Sequence, residues 1–207
     1  MAARKSNKIQ ESCDSKKAMI RSAKKLFAER GYDNVTIDDI TAACGLTKGA
    51  FYYSFKSKCD LIYEIERYRF NVLAHDLEAS DATGLDRMRE YIAQWSAYLD
   101  SDGVNVTRQW IIQNINAESV GTGSKEGHTA FKDDLAFVAS FLQEAVSMGE
   151  LARSAPAATI ARSIVLTMYG YAMYRCMYDE DSAIEWGKNY ASQVCDNLLK
   201  LYAPETA

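Results

Sequence analysis

Along most of the chain apolar residues return every three or four positions, the spacing of helices that each bury one face. Ile20, Ala23, Leu26 and Phe27 make such a face over about residues 15–30, with Gly31 as its stop, behind a polar arm at 1–14 that carries Arg4, Lys5 and Lys8. Residues 36–55, TIDDITAACGLTKGAFYYSF, predict two short helices and a tight turn. Thr36 and Asp39 form a T-x-x-D capping pattern, and Ile37, Ile40 and Cys44 share the face behind it. Gly45 falls where a left-handed residue ends a helix and reverses the chain. Thr47 caps the second helix, whose Phe51 and Phe55 point inward at i,i+4. Ser57 and Asp60 repeat the capping pattern before a long helix to about residue 78, with Leu61, Ile62, Ile65 and Tyr68 as its stripe.

Five further helices are expected, over about 85–101, 107–117, 129–148, 158–178 and 182–202. Asp102-Gly103 separates the first two, and 119–127, SVGTGSKEG, is the one loose run. With only 2 prolines and no alternating β-branched runs, the reading is all-α. About nine helices are expected: a three-helix head with a helix-turn-helix, joined by a long helix to a larger bundle. The division falls at residues 1–58 and 59–207.

Packing Phe51 and Phe55 inward leaves Thr47, Lys48, Gly49, Ala50, Tyr52, Tyr53 and Ser54 on the outer side or tip of the second short helix. A surface of hydroxyls, an ammonium and small residues suits the major groove of DNA. Lys48, Gly49, Ala50 and Tyr52 are expected at base edges. Thr36, Tyr53 and Lys58 are expected on the phosphate backbone.

From residue 23 to 65 the chain resembles the TetR family of bacterial repressors. The Ala-x-x-Leu-Phe run, the Gly-Tyr pair, the capped Thr36, the Gly-Leu-Thr-Lys-Gly turn, the Phe-Tyr-Tyr-x-Phe helix and Lys58 all match in order. Thr41 stands where the family usually has alanine, and Ser54 where histidine is frequent. The resemblance implies a ligand-responsive transcriptional repressor that binds palindromic operator DNA as a homodimer. It also implies that Lys58 touches phosphate, and that an effector pocket lies in the helical body.

The formal charge of −4 argues against nucleic acid only until it is divided. Residues 1–58 carry 12 Lys and Arg against 6 Asp and Glu, whereas 59–207 carry 12 against 22. A basic head on an acidic body is the footprint of a DNA reader attached to a part with another task. The five cysteines form neither a C-x-x-C nor an even framework, and no apolar run approaches 18 residues. A cytoplasmic protein with reduced thiols and no membrane partner is expected.

The body concentrates aromatics, and one stretch, IVLTMYGYAMYRCMY, mixes them with methionine. Trp95, Tyr98, Trp110, Phe141, Tyr171, Tyr174, Arg175 and Tyr178 are the candidate lining for a small apolar or aromatic effector. Arg175 or Arg108 would pair an anionic group on it. The last two helices are apolar on more than one side, so Ile164, Met168, Ala191, Val194 and Leu198 are the candidate dimer interface. The alternatives are a body that docks a protein partner and, more distantly, an all-α enzyme. His75 and His128 are the only histidines, and no metal-ligand spacing, nucleophile motif or phosphate loop accompanies them. No catalytic residue, metal or cofactor is therefore assigned.

Overall fold

The computed structural model describes residues 2–117, 130–178 and 190–204. Among these there are eight helices and no strand: α1 Ala2–Arg30, α2 Ile37–Ala43, α3 Lys48–Ser54, α4 Lys58–Glu78, α5 Gly84–Ala117, α6 Ala130–Ser147, α7 Ala157–Met177 and α8 Tyr190–Lys200. The expected loose run at 119–127 and the expected start of the last helix at 182–189 lie outside the described residues. None of the described helices is long and apolar enough to cross a membrane.

Two boundaries differ from expectation. α1 begins at Ala2, so the stretch read as an arm continues the helix. No glycine or proline interrupts residues 2–30, and propensity summed over so many ordinary helix formers extends the helix. The side chains of Arg4, Lys5 and Lys8 lie outside the described residues. α5 runs unbroken through Asp102-Gly103, where two helices were expected. An interior glycine costs about 1 kcal/mol, less than the burial of Val106 and Trp110 beyond it returns.

The caps follow the sequence closely. Thr36 Oγ1 accepts from the Asp39 N–H at 3.1 Å, and the Asp39 carboxylate accepts from the Thr36 N–H at 2.8 Å. Gly45 takes the left-handed conformation at φ 67° and turns α2 into α3. Thr47 Oγ1 accepts from the Ala50 N–H at 3.2 Å. At α4, Ser57 Oγ accepts from the Asp60 N–H, while the Asp60 carboxylate reaches one residue further back, to the Lys56 N–H.

Phe51 and Phe55, ring centroids 5.2 Å apart, anchor α3 against α1 and α2. One buried apolar cluster then continues through α4 into α5, α6 and α7. The start of α5 presses on α6 so closely that a Cβ on Gly84 would stand 2.6 Å from the Phe141 carbonyl oxygen. Glu150 closes this junction by accepting from the N–H groups of Gly84 and Leu85.

Candidate functional site

The outer face of α3 is built as the sequence predicts. Lys48, Gly49, Tyr52 and Tyr53 are exposed, Tyr53 at 77%, while Ala50 and Ser54 are half-buried at its edge. Thr47 and Thr36 are exposed too, but both hydroxyls already serve caps. Thr41, the departure on α2, is buried and turns its hydroxyl back onto the Ile37 and Asp38 carbonyls of its own helix. Lys48 has a partner that the sequence reading missed: its ammonium lies 3.1 Å from both carboxylate oxygens of Asp38.

Lys58 is placed differently from expectation. Its ammonium donates to the Tyr32 carbonyl at 2.7 Å and the Val35 carbonyl at 2.9 Å, and it lies 4.0 Å from the Tyr32 ring centroid. A half-buried lysine on two loop carbonyls and an aromatic face ties the start of α4 to the segment between α1 and α2. Sequence pattern placed it at a helix start, and nothing in one dimension revealed the carbonyls 23 and 26 residues earlier.

In the body α4, α5 and α6 line a cavity of about 450 Å³ that is partly open to solvent. Its walls include Phe70, Tyr91, Trp95, Tyr98 and Trp110, and its charged groups are Glu64, Glu66, Arg67, Arg69, Asp133 and Asp134. Trp95 and Trp110 cross at 6.1 Å between centroids, and Tyr169 leans on both from α7. Trp95, Tyr98 and Trp110 were foreseen. Phe141, Tyr171, Tyr174, Arg175 and Tyr178 do not line it. Phe141 and Tyr171 are core residues, Tyr174 and Tyr178 stack on each other toward the end of α7, and buried Arg175 pairs with Asp100 at 2.8 Å. Arg108, the other arginine proposed for an anion, donates to the Asn105 side chain and the Cys176 carbonyl.

Asp134 is the least expected member. It is buried, and its two carboxylate oxygens accept from the hydroxyls of Tyr91 and Tyr169, the latter at 2.8 Å. Burial pushes its carboxyl up to about 6, against the pull of the two phenols, and neighbouring Asp133 pushes the same way. Burial and the carboxylate beside them also raise both phenols above their ordinary range. Across the cavity the buried Arg69 guanidinium lies 3.2 Å from Glu66 and 5.0 Å from the Tyr98 ring centroid. Aromatic clustering pointed to this region, but charged residues within a helix read as solvent-facing until the packing is known.

Of the residues expected at a dimer surface, three are covered by the protomer itself. Ile164, Met168 and Ala191 are closed inside the protomer, while Val194 and Leu198 are half-buried. The outward face of α7 instead carries Ser163, Leu166, Gly170, Met173 and Met177, at alternating spacings of three and four. A helix apolar nearly all round gives the sequence no means of choosing which side faces in.

Residues 19–65 match the model for bacterial regulatory proteins of the tetR family. The helix-turn-helix-type regulator YerO of Bacillus subtilis is 40% identical over 55 residues, 27% of this chain and 19% of its own length. The chain thus spans about a fifth of this relative's length. The helix-turn-helix-type repressor BepR of Brucella suis is 28% identical over 179 residues, covering 82% of this chain and 84% of its own. Among solved structures, a TetR-family transcriptional regulator of Pectobacterium atrosepticum superposes with TM-score 0.65 at 18% identity, covering 95% of this chain and 98% of the other. That likeness shows the fold.

Proposed function

We propose that the chain, whose residues 19–65 match the TetR family of bacterial regulatory proteins and which is similar along most of its length to the repressor BepR, is a ligand-responsive repressor of that family. On this reading residues 1–58 read palindromic operator DNA and residues 59–207 bind an effector and a second copy of the chain. Lys48, Gly49, Ala50 and Tyr52 face base edges with Thr47 beside them at the helix start, Thr36 and Tyr53 stand near the backbone, and Ser54 lies at the edge of the same face. Lys58 is a positioning residue that holds the loop before α2.

The observation that carries the effector half is the cavity of about 450 Å³ walled by α4, the same helix that opens beside α3. A volume in the ordinary range of small-molecule pockets favours sensing over a body that only docks protein. On this reading two copies pair through the exposed face of α7, and their recognition helices must stand about one DNA turn, roughly 34–36 Å, or a multiple of it apart. A ligand that tilts the body end of α4 then changes that separation.

Selection from a randomised duplex library, followed by binding of the enriched duplex to the full-length protein, tests the reader. An inverted repeat bound by two copies is expected. Enrichment of no sequence, with affinity tracking salt alone, would overturn it. The ligand half is read from reciprocity: an effector that weakens DNA binding is itself weakened by saturating DNA, by the same factor.

A further inference from the structure

The cavity is walled by aromatic rings and carries charge. Among the described residues, four carboxylates and two guanidiniums line it. Both guanidiniums are engaged on α4: Arg67 with Glu64 at 2.9 Å and Arg69 with Glu66 at 3.2 Å. Glu64 has a second cation, Lys16, at 2.7 Å. Asp134 differs, because the groups bonded to it are neutral phenols and the charge it feels from its own helix is the like charge of Asp133. A buried carboxylate is costly without a compensating positive group. It also has about four lone-pair sites, of which the two phenols occupy two.

The same cavity is lined by the indoles of Trp95 and Trp110 and the phenol ring of Tyr98, whose faces attract cations. Tyr98 already holds one, the Arg69 guanidinium.

We propose that the cavity takes a flat, lipophilic organic cation, with the aromatic faces of α5 covering its rings and the Asp134 carboxylate answering its charge. This rests on the reading that the cavity is the effector site, and it narrows the effector from any apolar or aromatic molecule to a positively charged one. A neutral ring system would gain the same apolar contact and leave Asp134 uncompensated. An anion would bring a like charge beside Asp133 and Asp134.

The test uses three ring systems of nearly one shape: N-methylacridinium, methylanthracene and anthracene carboxylate. Each is titrated into the full-length protein by quenching of tryptophan fluorescence and by calorimetry. The acridinium is expected to bind about ten-fold or more tightly than the other two. Asp134→Asn should bring acridinium affinity down to that of methylanthracene and leave methylanthracene unchanged. Asp133→Asn, on the half-buried neighbour, should produce a smaller loss of the same kind and keeps the test open if the first variant does not fold. Equal binding of acridinium and methylanthracene overturns the charge inference and leaves a neutral effector site. Tighter binding of the carboxylate overturns it in favour of Arg69, and binding of none overturns it for flat rings altogether. DNA affinity is then measured with acridinium at saturation. Tight acridinium binding that leaves it unchanged overturns the regulatory reading while the ligand class stands.

Discussion

The Lys16 ammonium, on α1, lies 2.7 Å from a carboxylate oxygen of Glu64, a residue of α4 that also lines the cavity. The same ammonium sits 5.5 Å from the ring centroid of Phe55, at the end of α3. One lysine thus touches the cavity rim and the foot of the recognition helix. Burial alone would raise the Glu64 carboxyl. The Lys16 ammonium and the Arg67 guanidinium together outweigh it and hold the carboxyl below its ordinary value.

Lys16→Met should therefore leave effector affinity in the absence of DNA nearly unchanged and reduce the effect of effector on DNA binding. The pair is partly exposed, so its loss should lower stability by no more than about 1 kcal/mol. Titrations of effector with and without DNA give the coupling directly. An unaltered coupling factor would route the signal elsewhere along α4.

Lys58→Ala removes a donor from two loop carbonyls. Stability should fall by about 1–3 kcal/mol, seen as a lower melting temperature. The slope of log affinity against log salt should stay as it was. A slope reduced by about one unit, with unchanged melting, would restore a phosphate role.

Asp38 holds Lys48 and places a negative charge on the face proposed to meet DNA. Asp38→Asn should tighten binding to all duplexes several-fold by freeing the ammonium and removing repulsion. Lys48→Ala should instead weaken the selected duplex by about 1–3 kcal/mol and relax preference at one position per half-site. Competition binding against random DNA separates the two effects.

Asp134 titrates with a sign opposite to most carboxylates. Its folded value, about 6, lies above the ordinary 3.8, so between roughly pH 6 and 4 the folded state binds the extra proton. Stability from this group therefore rises as pH falls through that window, by on the order of 2–3 kcal/mol. Asp134→Asn should lose that slope while other carboxylates, such as Asp39 and Glu64, titrate equally in both proteins. Denaturant unfolding of the two proteins across the window measures the difference, and parallel curves would contradict it.

Leu166→Glu combined with Met173→Glu charges the outward face of α7 without entering the core. Monomers with undiminished helicity and much weaker operator binding are expected. Sedimentation that still finds a dimer would move the interface to another surface.

The sequence by itself determined whatever is set within a few residues. Both halves of the Thr36–Asp39 box, the Thr47 cap, the left-handed Gly45 and the inward Phe51–Phe55 pair depend on local hydrogen bonds and helical spacing. Those are legible in one dimension, and with them came the helix-turn-helix and its outward residues. Packing decided the rest. Asp102-Gly103 reads as a break, yet burial on either side keeps α5 continuous. The apolar surface of α7 gave no choice between Met168 inside and Met173 outside until neighbouring helices covered one of them. Three of the foreseen aromatics, Trp95, Tyr98 and Trp110, reached the cavity because α5 faces α4; Tyr174 and Tyr178 missed it because α7 turns them away. Lys58 and Asp134 were beyond any local pattern. The carbonyls that bind one and the phenols that bind the other are brought from distant parts of the chain, and only the folded arrangement makes burying such groups tolerable.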